Sequence, residues 1–252
     1  MFGLCIYGLR RTATEAVGIT QLLAEYLELR SHHMVLKRNN KRSQTRIMIS
    51  KPNSMPDLRL PASNYSIHAS ENESGDEVIE NSGAYISYFT NEVFSSLIAY
   101  SDRVDLEFFL NYAPFSTLMR NSRAKYGFAI DWQEKSSFWA YAAGFQDLAS
   151  LGGNLLNETP AGRWGVALRR SPDALLDGNF RDIYPVNFLT DMHLSRSTPS
   201  GEVRNLIFDG GSEWGQISEI CSDWYKWIVR KENIDVIRRR FLSAGLLEPN
   251  FL

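Results

Sequence analysis

Three places in the chain put reactive residue types at spacings that chemistry uses. Gly210-Gly211-Ser212-Glu213-Trp214 approaches the Gly-x-Ser-x-Gly turn that exposes a nucleophilic serine, but Trp214 stands where the last glycine belongs. Asp191 and His193, two residues apart, are the types of an acid–base pair. A hydrolase-like enzyme built around them, drawing an acid from elsewhere, is the enzymatic alternative. Asp223 and Lys226 offer the carboxylate and amine of a metal nuclease, yet three residues apart on a strand they face opposite sides. Of His32, His33, His68 and His193, none forms the His-x-x-x-His pair of a metal-binding helix. Cys5 and Cys221 are too few for a disulfide framework or a structural zinc site, and read as reduced, buried thiols. Phosphate-binding glycine loops are absent. No catalytic residue, metal or cofactor is expected.

Binding surfaces are easier to find than reactive ones. Lys37, Arg38, Lys41, Arg42 and Arg46 make the most basic stretch, read as a charged hairpin tip. As a phosphate-contacting arm it would make the chain a nucleic-acid-associated protein, but no aromatic is interleaved for stacking on bases. The net charge of −2 also argues against direct nucleic-acid binding. Glu71, Glu73, Asp76, Glu77 and Glu80 form a run without a single base. Such a run is a solvated acidic loop or a docking surface that steers a basic partner. Trp214, Trp224 and Trp227 are core candidates by default; Trp214 and Trp224 are the two taken as partner contacts, since tryptophan is enriched at interface hot spots.

Phe2–Leu9 reads as a buried first strand. Thr12 and Glu15 fit a capping box, followed by a helix with Ala16, Ile19, Leu22, Leu23, Tyr26 and Leu27 on one face. His33–Lys37 and Thr45–Ser50 read as a hairpin about Asn39-Asn40-Lys41. Residues 51–80, Pro-rich and then acidic, read as an irregular excursion. Strands are expected at Gly83–Phe89, Val104–Tyr112 and Tyr126–Trp132, and a helix at Glu92–Tyr100. Phe138–Phe145 fits strand or helix equally, because periodicity does not arbitrate short apolar runs. Trp164–Leu168 reads as a strand, and Ser171-Pro172-Asp173 as a helix start.

The stretch 182–247 is the most ordered to the eye. Short helices are expected at Thr190–Leu194 and Glu202–Phe208, and strands at Glu213–Ile220 and Asp223–Arg230. The last helix has Asn233 as N-cap, a stripe of Ile234, Ile237, Phe241 and Leu242, and Gly245 as the left-handed stop. The class is α+β, with mixed or antiparallel sheets packed with helices and a β-β-α ending. The 252 residues fit a single α+β domain, divisible into subdomains of about 1–135 and 136–252. The N-terminus lacks a signal-peptide pattern, and no run approaches the roughly 20 apolar residues of a membrane span. A soluble, cytoplasmic protein is expected.

Tyr184-Pro185-x-Asn187-Phe188-Leu189, His193-Leu194, the Gly201 turn, the Trp-rich strand, and Val236-Ile237-Arg238 running into Ala244-Gly245-Leu246-Leu247 carry a resemblance. Together, over the last quarter of the chain, they resemble bacterial immunity proteins that neutralise polymorphic toxins, including type VI secretion effectors. The resemblance implies a non-enzymatic protein that occludes a cognate secreted toxin. A nuclease effector would suit the acidic run, because nuclease clefts are basic.

Overall fold

The structure, a computed structural model, describes residues 1–9, 12–29, 33–40, 43–49, 65–70, 83–90, 95–110, 124–132, 138–142 and 177–247. The fold is α+β, and the chain divides into two compact units. The first holds the described residues within Met1–Ala113, Ser122–Ala124 and Asp131–Trp139. The second holds those within Pro114–Asn121, Lys125–Ile130 and Ala140–Leu252. The division is interleaved along the chain.

In the first unit, β1 (Phe2–Tyr7) and α1 (Ala13–Tyr26) lead into the hairpin β2 (His33–Asn40) and β3 (Ser43–Ile49). Then come β4 (Tyr65–Ser70), β5 (Ala84–Thr90), β6 (Ser95–Ser101) and α2 (Leu106–Leu110). The strands lie in the order β1-β6-β5-β4-β2-β3, and every neighbouring pair is antiparallel. α1 starts where its capping box places it: Thr12 Oγ1 accepts from the Glu15 amide at 3.3 Å, and the Thr12 amide donates to Glu15 Oε2 at 2.9 Å. Its Ala16, Ile19, Leu23 and Leu27 are buried, as their spacing predicts, while Leu22 and Tyr26 are half-buried.

Three stretches differ from the sequence expectation. Residues 65–70 interrupt the supposed excursion: β4 is an inner strand between β5 and β2, with Tyr65, Ile67 and Ala69 buried. The apolar alternation was overshadowed by the prolines before it and the acids after it. Glu92–Tyr100 contains no described helix; Ser95–Ser101 is β6, paired on both sides and buried almost throughout. Its Leu97 and Tyr100 mimic helical spacing because a strand buried on both faces is apolar continuously. Conversely, the strand expected at Val104–Tyr112 gives way to α2, in which Leu106 and Phe109 are the buried pair, at i and i+3. The β2–β3 hairpin holds, and its register sets Lys37 opposite Arg46.

In the second unit, β7 (Tyr126–Asp131), β8 (Val186–Thr190), β12 (Trp224–Ile228) and β11 (Gln216–Cys221) form an antiparallel sheet in that order. α3 (Phe138–Ala142) precedes β8 in the chain, and the part of it from Ala140 on belongs to this unit. After β8 come α4 (Asp191–Leu194), the two-residue strands β9 (Ser197–Thr198) and β10 (Gly201–Glu202), and α5 (Val203–Asp209). A 3-10 turn at Gly211–Trp214 leads into β11, and α6 (Lys231–Ser243) follows β12. The start of α6 differs from expectation. Arg230, not Asn233, is the N-cap, and Asn233 lies inside the first turn. The stop is as expected: Gly245 has φ +69°, with Gly245 N–H donating to Leu242 O and Leu246 N–H to Phe241 O, a Schellman closure.

The core of the second unit is aromatic. Trp227, Phe180 and Phe241 meet at centroid distances of 4.9 to 6.4 Å, and the Trp227 indole N–H donates to Trp214 O. Among the described residues, no helix is long and apolar enough to cross a membrane.

Candidate functional site

Each sequence-derived candidate has a definite place. His193 is fully buried in α4, stacked against Tyr126 at 5.3 Å and edge-on to Phe180 at 5.3 Å. Its Nδ1 lies 3.0 Å from Thr190 Oγ1 and accepts from the Thr190 amide at 3.3 Å, so the imidazole caps its own helix. Burial pushes its pKa down to about 3, against the opposing pull of the Asn179 backbone and Asp177. Asp191 points elsewhere and is ion-paired with Arg204. The two do not form an acid–base pair, which removes the hydrolase site proposed around them.

Ser212 and Trp214 lie in the 3-10 turn, and no nucleophile elbow forms there. Trp214 and Trp224 are only 5% and 3% exposed, so neither presents a binding surface. Trp214 lies 6.2 Å from Phe241 under the Arg240 guanidinium, and Trp224 lies 6.4 Å from Phe188. Burial of their large apolar area in the core outweighs any use at an interface. Cys5 is buried and Cys221 half-buried. Glu71, Glu73, Asp76, Glu77 and Glu80 lie outside the described residues, as do Lys41 and Arg42. So do the expected strand Trp164–Leu168 and the helix start at Ser171.

Two arrangements emerge that sequence reasoning missed. The first is a buried polar network. Arg181, wholly excluded from solvent, donates to Ala142 O at 3.0 Å and Tyr141 O at 2.5 Å. Its guanidinium lies 4.3 Å from the centre of the Tyr141 ring and 5.3 Å from that of Phe128. Next to it, Asp182 accepts from Arg238 Nε at 2.6 Å and from the Ile183 amide at 2.7 Å. Burial raises the Asp182 pKa, and Arg238 counteracts it. The Tyr141 and Tyr184 hydroxyls meet at 2.7 Å, and the Asn187 amide closes on the Tyr184 backbone in both directions. Converging ionisable groups of this kind can mark an active site. Here they are locked onto one another and onto backbone carbonyls inside the core, an arrangement that fixes the entry to β8.

The second arrangement is on the surface. On α5, Val203 and Ile207 face inward, which turns Arg204 and Phe208 outward together at i and i+4. Phe208 is 49% exposed. It stands edge-on to Tyr225 of β12 at 6.4 Å, and the Arg204 guanidinium lies 5.8 Å from the centre of Phe208 and 5.6 Å from that of Tyr225. The Tyr225 hydroxyl and the Asp191 carboxylate hold the Arg204 pKa above its ordinary value. Beside this cluster lies a groove of about 500 Å³, walled by Ile207 and Phe208 of α5, Gly215 to Ser218, and Lys226 and Ile228 of β12. Arginine, tyrosine and phenylalanine around an apolar depression are the composition of a protein-binding hot spot. A sequence signal existed: Arg204 and Phe208 share the helical face opposite the apolar stripe.

Comparison of the chain with family models, with curated proteins and with solved structures finds no match.

Proposed function

We propose that this chain is a non-enzymatic binding protein of the immunity type, which occludes a cognate secreted toxin and so protects the cell that makes it. One observation supports this reading above the others. The Arg204–Phe208–Tyr225 cluster leaves a large apolar ring half in water beside an open groove, on a short helix whose other face is buried. Arg204 is already oriented by Asp191, so little side-chain freedom is lost when a partner arrives. The resemblance of the region 182–247 to immunity proteins points the same way, since α5, β11 and β12 all lie inside it.

The test is co-expression with the toxin encoded beside this protein's gene. The expected result is rescue of growth and recovery of a stable complex on purification, with rescue lost in the Phe208→Asp variant. Turnover of a small substrate, abolished by one side-chain replacement, would overturn the reading. So would a chain that neither binds the neighbouring toxin nor restores growth.

A further inference from the structure

The groove runs along a sheet edge. Among the described residues β11 pairs with β12 alone and ends the sheet of the second unit. Gln216 to Glu219 keep a regular register with Ile228 to Tyr225, and the register breaks only between Glu219 and Cys221. A regular run with one row of peptide groups unmatched is a template for another strand. The groove is lined by Ile207 and Phe208 of α5 and by Gln216, Ile217 and Ser218 of this run.

Charge narrows the occupant. Ser218 sits directly across from Lys226, so the two share a face of the sheet. Ser218 and Lys226 both line the groove. Lys226 is half-buried and takes part in none of the ion pairs among the described residues. A carboxylate arriving on that face meets an amine that has no counter-ion among the described residues. A second copy pairing β11 with β11 does not supply it: Glu219, the acid of this strand, faces the other side of the sheet from Lys226. A helix laid in the groove leaves the peptide groups of β11 unmatched, whereas an extended segment pairs with them.

We infer that β11 accepts an extended segment of a partner protein as an added strand, with an apolar side chain seated against Ile207 and Phe208 and an acidic one meeting Lys226. This rests on the reading of the chain as a protein-binding molecule and names the chemistry of what it binds. The main chain supplies affinity through the ladder, and the groove side chains supply selectivity.

The probe is a phage-displayed library of random dodecapeptides panned against the full chain. Enriched peptides are expected to carry an aliphatic or aromatic residue and an Asp or Glu within an extended pattern. Bound peptide is expected to slow amide exchange across Gln216–Glu219. Lys226→Glu is expected to shift selection toward basic peptides, and Phe208→Asp to weaken binding at least tenfold with an unchanged melting temperature. The inference is overturned if no peptide is enriched, if peptides protect amides elsewhere, or if they fill the groove while β11 amides stay unprotected. Concentration-dependent protection of β11 without peptide would make a second copy the occupant and overturn it too. Toxin capture that persists with β11 unprotected sinks strand addition alone; absence of capture sinks the reading beneath it.

Discussion

Arg238 of α6 donates from Nε to Asp182 Oδ1 at 2.6 Å and from Nη2 to Ile183 O at 3.3 Å, tying the last helix to the segment that leads into β8. Asp182 is almost fully buried, so the guanidinium is what makes its charge tolerable there. Arg238→Met strands that carboxylate and is expected to lower stability by about 3 kcal/mol, the low end for a broken buried pair, because Arg238 keeps some contact with water. Asp182→Asn added to it should recover part of the loss. Urea unfolding of the single and double variants checks both.

Arg181 acts on a different segment. Its two donations to Tyr141 O and Ala142 O hold the C-terminal end of α3, with the guanidinium over the Tyr141 ring. Arg181→Lys keeps the charge and loses the planar fork, so it should not rescue. Both Arg181→Lys and Arg181→Met are expected to cost about 3 kcal/mol or more. Amide exchange should show the loosening first at Tyr141 and Ala142.

His193 gives the pH dependence its sign. Its folded pKa, about 3, lies below the ordinary histidine value, so the imidazole stays neutral in the fold while the unfolded chain takes up a proton. Its contribution is fully present above about pH 6.5 and is lost as pH falls toward 3, at a slope approaching about 1.4 kcal/mol per pH unit. Asp182 has the opposite sign. Its raised pKa makes the folded chain bind a proton more readily than the unfolded one, so acidification within its own window favours the fold. The stability difference between wild type and His193→Asn isolates the histidine. That difference should fall with acidification below pH 6.5 and be flat above it.

Gly215 controls the shape of the groove. Its φ is +85°, and a Cβ there would lie 2.0 Å from Ile228 O. Gly215→Ala therefore forces β11 away from β12 at the start of their pairing. A loss of about 2 kcal/mol is expected from the backbone conformation and clash together. Chemical shifts at Ile228 and Gln216 should move with it.

How much was legible depended on whether the cause was local. The capping box of Thr12 and Glu15, the β2–β3 hairpin and the Gly245 stop are short-range events, written in neighbouring residues. β6 and α2 depart from the sequence expectation because each is too short for its period to distinguish strand from helix. The pairing partners on both sides of β6 decide its state, and they lie far away in sequence.

By itself, then, the sequence determined the α+β class and the capping and stop signals at Thr12, Glu15 and Gly245, because propensity and capping are properties of adjacent residues. Only the tertiary structure decided what the chemistry-bearing residues are for. It buried His193 against Tyr126, turned Asp191 toward Arg204, sank Trp214 and Trp224 into the core, and left Phe208 outside beside an open strand. Solvent exclusion and long-range contact set those roles, and neither is a property of residue type or spacing.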